Sequence, residues 1–436
     1  MTLQAMNSGV SGLRAEGDAL GVVGDNIANV DTVGFKSQRA VFEDVLGHSI
    51  LAGTSSGMPG SGVRVGSVQQ MFTQGTLENT GVNTDLALNG DGFFVVKGTV
   101  DGIQNNFYTR AGQFNLDKDG VLVNPQGLQV QGYKANGDGT YAASLSSVQA
   151  PTAALPARAT TEMTVTANLD SNQPILSAAT PPMTWDAQNP ANTSNFSSSM
   201  QVYDSLGNAH TASVYFDKTA ANTYDYHVLV NGADVNPPAP GTNVEIGTGT
   251  LAFTTNGALD TVTTTTAATV DFAGATAGQA IALNFGTSIG AGGTGLDGVT
   301  QFASPSNTSA QSQDGYASGD FSGIQVDGQG VVTGLYTNGQ QIAMAQLGVA
   351  KFRSNENLGR AGQNLWIDTR ESGTAAMGTA GSGGRGAVSS GALEGSNVDL
   401  ATEFVGLIQH QRAFSANSKT ITTADEMLQE LINIKR

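Results

Sequence analysis

The residues that could act as acids, bases or metal ligands are few, and their spacing is unfavourable. Four histidines occur, His48, His210, His227 and His410, none in an HxxxH or HxH pattern and none beside a nucleophile motif. Each reads as a surface or structural residue. Cysteine is absent, which excludes a disulfide framework and a thiolate zinc site. Gly293-Thr294-Gly295-Leu296-Asp297-Gly298 and Gly381-Ser382-Gly383-Gly384-Arg385-Gly386 match a dinucleotide-binding spacing. Such glycines cradle a pyrophosphate only between a strand and a helix, and no helix pattern follows either run, so both read as loops. Asp117-Lys118-Asp119-Gly120 opens like a calcium loop but lacks the later ligands and the closing glutamate, so it reads as a turn. Three sequons, at Asn192, Asn195 and Asn307, carry little weight without a secretory signal. The expectation is a chain with no catalytic, cofactor-binding or metal site.

The bulk composition points the same way. The 436 residues suffice for two to four domains, with 57 glycines and only 13% charged residues. A middle rich in Thr, Ser, Ala and Asn favours β-structure with many turns. The net charge of −17 argues against nucleic acid and anionic membrane surfaces as partners. No stretch approaches the roughly 20 apolar residues that span a bilayer. The first thirty residues lack the basic start and apolar core of a cleaved signal peptide.

The termini carry the strongest periodicity. Leu3, Met6, Val10, Leu13, Leu20 and Ile27 recur at spacings built from three and four. Leu400, Leu407, Phe414, Ile421 and Leu428 recur every seven, with Phe404, Gln411, Ser418, Asp425 and Ile432 in the complementary positions. These are heptads, the pattern of helices that bury a narrow seam against other helices. The first helix is expected over residues 2–29. Its five interior glycines (Gly9, Gly12, Gly17, Gly21 and Gly24) cost up to about 1 kcal/mol each, so its order must come from packing. The last helix is expected over 397–434, opened by a capping box at Ser396-Asn397-Val398-Asp399 and followed by Lys435 and Arg436.

Between the helices the pattern is β. The runs 86–88 and 93–96 flank Asn89-Gly90-Asp91-Gly92, a hairpin signal. Alternation returns at 214–216, 224–230, 251–253, 270–272 and 281–285, which reads as a β-domain inserted over residues 151–295. A second β-block follows, and residues 376–391 read as a Gly/Ser-rich connector. The division expected is 1–30 with 397–436 as a helical assembly domain, 31–70 as a linker, 71–150 with 296–396 as an inner β-domain, and 151–295 as an outer one. The chain goes out and comes back, which nests these layers.

Several motifs resemble one family. Asn26-Ile27-Ala28-Asn29-Val30-Asp31-Thr32-Val33-Gly34-Phe35-Lys36 resembles the end of the first helix of bacterial flagellar rod and hook axial proteins. Gly391-Ala392-Leu393-Glu394-Gly395-Ser396-Asn397-Val398-Asp399-Leu400 resembles the start of their last helix, and Gln411-Arg412-Ala413-Phe414 continues it. Phe72-Thr73-Gln74-Gly75, residues 86–96 and Tyr108-Thr109-Arg110-Ala111-Gly112 are similar to hook-type sequences. Asn29, Thr32, Gly34, Phe35, Lys36, Asn397, Asp399, Gln411 and Arg412 carry the motif match. The resemblance covers roughly residues 1–135 and the last 115.

The resemblance implies a structural subunit exported through the flagellar type III apparatus without a cleaved signal. It implies polymerisation with itself, assembly beneath a hook cap, and contact with the distal rod and the hook–filament junction protein. Length and the large insert favour the hook branch, a curved flexible tube that transmits torque, over the distal rod. A reading of a different class is an extracellular β-protein that binds glycans or a surface through the insert. Paired, glycine-weakened terminal seams favour the polymer.

Overall fold

The computed structural model describes residues 2–45, 61–151, 153–179 and 183–434. His48, Lys435, Arg436 and the side chain of Leu3 lie outside the described residues, as does the middle of the expected linker. The chain is mainly β, with a long helix at each end, Thr2–Ala28 and Leu400–Ile434. It forms two compact units.

The first unit comprises Met1–Thr152, Gly323–Leu335 and Gln341–Arg436. Its sheet orders the strands Gln341–Lys351, Gln129–Ala135, Phe93–Val100, Ile103–Thr109 and Leu365–Ile367 side by side. Phe93, Phe94, Val95 and Val96 are all fully buried, as expected of an apolar run covered on both faces. Phe93 packs edge-on to Phe72, Phe352 and Trp366, with ring centroids 5.5–5.9 Å apart. Within the linker region, Gln38–Asp44 pairs antiparallel with Val63–Gln70.

The chain closes on itself through short pairings between distant segments. Leu77–Asn79 pairs with Ala392–Glu394, and Leu86–Asn89 with Ala387–Ser390. This corrects two expectations. The Asn89-Gly90-Asp91-Gly92 segment does not close a hairpin, because the strand before it pairs with the returning chain instead of with Phe93–Val100. Residues 376–391 are not a mere connector, since they hold the strands Ala376–Thr379 and Ala387–Ser390. The glycine-rich loop between those strands wraps Arg385, whose guanidinium donates to the carbonyls of Val349, Ala376, Met377 and Ser382.

The second unit comprises Ala153–Ser322 and Tyr336–Gln340. A five-stranded antiparallel sheet runs from Phe196–Tyr203 to Leu259–Thr266 in chain order. Its alternating side chains Val214, Phe216, Tyr224, Tyr226 and Leu251 share one core with Met163 and Val165 of a three-stranded sheet. The unit runs past residue 295 because Asn307–Gln313 pairs with Glu162–Asn168 in that second sheet.

The last helix begins at Leu400 instead of 397, and the expected capping box does not form. Asp399 is the cap: its Oδ1 accepts from the backbone N–H groups of Ala401 and Thr402 at 2.9 and 3.2 Å, while the Ser396 hydroxyl meets only Val398 N. Asp399→Ala is expected to cost about 1 kcal/mol, read as a lower melting temperature with loss of helical circular dichroism.

Candidate assembly site

The family-type motifs meet at one buried carboxylate. Glu394 is fully buried and ends the short strand Ala392–Glu394. Its Oε1 lies 2.6 Å from Lys36 Nζ, and its Oε2 lies 2.9 Å from Arg110 Nη1. Gly75 N also donates to Oε1, at 3.0 Å. Lys36 donates in addition to Thr73 O at 2.6 Å, and Arg110 Nη2 to Gly90 O at 2.7 Å. Four segments far apart in sequence are thus tied at one point. Burial sets the Lys36 ammonium below its ordinary lysine range, against the pull of Glu394. Desolvation outweighs attraction at this lysine, as expected of ions withdrawn from water.

The residues around this clamp place it. Gly34 has a φ of +71° and donates to Glu394 O at 2.7 Å. A Cβ there would lie 2.5 Å from Ala111 N, so only glycine lets the two motifs touch. Gly34→Ala is expected to cost roughly 1–3 kcal/mol from backbone strain alone, measured by denaturant unfolding. Phe35 is buried. Asn29 and Thr32 stitch the turn after the first helix, Thr32 Oγ1 donating to Asn29 Oδ1 and Asn29 Nδ2 to Asp25 O. Asn397 ties its own segment to two others: its Oδ1 accepts from Ser37 N, and its Nδ2 donates to Met71 O and Thr73 Oγ1. Gln411 and Arg412 are exposed on the last helix.

The clamp sits where the terminal helices leave the β-body, and those helices pack antiparallel. Asn26 Nδ2 donates to Glu403 Oε1 at 3.0 Å, and His410 Nδ1 lies 2.6 Å from Glu16 Oε2. Further along, Gly12 faces Asn417 and Gly9 faces Ile421. The buried line of the first helix is Gly9, Gly12, Ala15, Ala19, Val23 and Asn26, small residues that allow close approach.

The predicted seam residues fall on different sides of this pair. Met6, Val10, Leu13, Leu20 and Ile27 are half-buried, as are Leu407, Phe414, Ile421 and Leu428. Leu400, Phe404 and Ile432 are exposed, and Val405, Ile408 and Met427 join them. Phe404 is 50% and Ile432 66% exposed, values that leave apolar surface of the last helix uncovered among the described residues.

Sequence reasoning passed over Arg110, Glu394, Asn26, Glu403, His410 and Asn417 as site residues. One signal was available for three of them: Glu403, His410 and Asn417 repeat every seven. Glu394 and Arg110 are each the single charged residue in a motif otherwise built of small and apolar groups, Gly391-Ala392-Leu393-Glu394-Gly395 and Tyr108-Thr109-Arg110-Ala111-Gly112. The other sequence candidates are satisfied within the fold. Asp117 Oδ1 accepts from Asp119 N and Val121 N in a turn. His227 stacks on Trp185 with Nδ1 2.6 Å from Glu245, and His210 stacks on Phe272.

Paired terminal helices with apolar surface uncovered among the described residues, clamped to the β-sheet of the first unit, fit an axial structural subunit. Comparison with known proteins gives the family. The sequence matches models for the flagella basal body rod protein over residues 6–36, the flagellar hook protein FlgE/F/G D1 domain over 87–168, the flagellar basal body protein FlaE D2 domain over 168–316, and the flagellar basal body rod FlgEFG protein C-terminal region over 389–434. It is 37% identical over 434 residues to the flagellar hook protein FlgE of Salmonella typhimurium, covering 99% of this chain and 100% of that one. The FlgE of Treponema pallidum is 34% identical over 479 residues, with 100% of both chains covered. The crystal structure of Helicobacter pylori flagellar hook protein FlgE2 shares the fold, with a TM-score of 0.51 at 16% identity over 71% of this chain and 98% of that one. The chain belongs to the flagellar hook protein family.

Proposed function

We propose that this chain is the repeating subunit of a flagellar hook, a curved, flexible tube that carries torque from rod to filament. One observation carries the reading. The helices pair within the chain through small residues and leave Phe404, Val405 and Ile408 exposed. About half of each such side chain is left to bury, worth roughly 1 kcal/mol apiece, or half of the 1.5–3 kcal/mol of full burial, and copies of the same helix stacked side by side would supply the cover. The terminal helices, Thr2–Ala28 and Leu400–Ile434, then form the inner assembly layer. Short polar contacts between neighbouring copies would let subunits slide as the tube bends.

The family reading brings the rest. The chain is exported unfolded by the flagellar type III apparatus, adds beneath a hook cap, and meets the distal rod below and the hook–filament junction above. No helix among the described residues is long and apolar enough to cross a membrane. Relatives matched over their whole length are hook proteins, which favours the hook over the distal rod. Electron microscopy of the purified chain under polymerising conditions tests the proposal. Curved tubes of uniform width are expected; monomers and small oligomers alone would overturn it.

A further inference from the structure

The chain holds five Asn–Gly pairs, at Asn89, Asn136, Asn231, Asn256 and Asn338. Such a pair carries its own chemistry. The glycine nitrogen can attack the asparagine Cγ, because no side chain on the glycine blocks the approach. The fold decides whether it does, since the nitrogen must be free to lose its proton and to swing toward Cγ. A glycine N–H that donates to an acceptor is restrained on both counts. Four of the five are held in this way. Gly90 N donates to Gln74 Oε1 at 3.0 Å, Gly232 N to Thr242 O at 2.8 Å, Gly257 N to Thr254 O at 2.9 Å and Gly339 N to Tyr336 O at 3.0 Å. The N–H of Gly137 has no acceptor among the described residues. Asn136 and Gly137 are both exposed, at the tip that joins the strands Gln129–Ala135 and Tyr141–Ser147.

We infer that Asn136–Gly137 is a self-modification site, the place where the folded chain converts an asparagine into a carboxylate. The Gly137 nitrogen gives its proton to hydroxide and bonds to Asn136 Cγ. The Cγ–Nδ2 bond breaks and ammonia leaves, giving a five-membered succinimide. Water then adds to either ring carbonyl and opens it to aspartate or isoaspartate, with no change of oxidation state. The surroundings fix the consequence. Asn136 N donates to Thr140 O at 3.0 Å, and Asn136 Nδ2 to Thr140 Oγ1 at 2.9 Å, an exposed bond that opens as the amine leaves. The Thr140 hydroxyl already gives its proton to Asp138 Oδ1, and Thr140 N donates to the same oxygen at 2.9 Å. These bonds hold the Asp138 carboxyl below its usual range. The product therefore sets a second carboxylate beside a hydroxyl with no second proton to offer. Isoaspartate also lengthens the main chain by one carbon and displaces the bond from Asn136 N to Thr140 O that closes the tip. Each copy thus gains negative charge at this tip as it ages. The inference concerns the single folded chain and does not rest on the hook reading.

The test ages the full-length chain at mildly alkaline pH, once folded and once in denaturant, and follows every Asn–Gly peptide by mass spectrometry. In denaturant all five glycine nitrogens are free, and the five sites are expected to convert at similar rates. In the folded chain Asn136 is expected to keep a rate of that order, while the other four slow by many-fold. Isoelectric focusing of the folded chain should show an acidic band that grows with time. Asn136→Asp is expected to give that band from the start. Asn136→Gln is expected to suppress its growth, since glutamine would have to close a less favourable six-membered ring. The inference is overturned if folding slows Asn136 as much as the other four, if any of those four converts faster than Asn136 in the folded chain, or if the acidic band grows at the parent rate in Asn136→Gln. Tube formation is not used as a readout, so failure here is distinct from failure of the hook reading.

Discussion

Glu394→Gln is expected to destabilise the first unit by about 3–5 kcal/mol, the usual cost of leaving buried charges unpaired. The substitution keeps the shape but turns an acceptor toward a donor: one side-chain atom becomes an NH₂ facing either Lys36 or Arg110, and both cations lose their counter-ion. Lys36 and Glu394 are each at most 1% exposed at their side chains and Arg110 6%, so water cannot replace the lost carboxylate. Lys36→Met is the informative comparison. Burial already holds that lysine below its ordinary range, and an apolar chain of similar length avoids the desolvation cost. Its loss should be clearly smaller than that of Glu394→Gln. Equilibrium denaturation followed by Trp366 fluorescence reads both, since Trp366 sits in the adjoining core. Equal midpoints for Glu394→Gln and the parent would remove the clamp from the account.

The second large effect is on assembly and not on folding. Phe404→Asp combined with Ile408→Asp is expected to abolish tube formation while leaving the unfolding midpoint of the monomer nearly unchanged. Both positions are about half exposed in the single chain, and exposed sites away from buried features usually shift stability by less than about 0.5 kcal/mol. In a tube the same carboxylates would have to be buried without partners, which is prohibitive when repeated in every copy. Leu407→Asp and Phe414→Asp should behave differently. These side chains are half-buried in the free chain, so both the monomer's helix pair and its polymer should suffer. Sedimentation and thermal melts on the same samples separate the two classes.

The terminal helices were legible because a seven-residue period survives any context, and their motifs are long. Which side of each helix would face its own partner was not. A heptad shows that a seam exists but does not name the helix that fills it, and the large residues drew attention away from Gly9, Gly12, Ala15 and Ala19. The clamp was legible only as motifs. Lys36 and Glu394 are 358 positions apart, and Arg110 and Glu394 are 284 apart, so no local spacing joins them. The misread hairpin at Asn89-Gly90-Asp91-Gly92 has the same origin. Turn chemistry is local, whereas Leu86–Asn89 takes its partner from Ala387–Ser390 at the far end of the chain. The core of the second unit was the easier part, since alternating strands state their buried face directly.

A reconstruction of the assembled tube at side-chain resolution tests the central claim most directly. The account predicts that Phe404 and Ile408 lie against the helices of a neighbouring copy, with Gly12 and Asn417 still paired within one chain. Terminal helices that touch only their own chain, with Phe404 and Ile408 left in solvent, would contradict it.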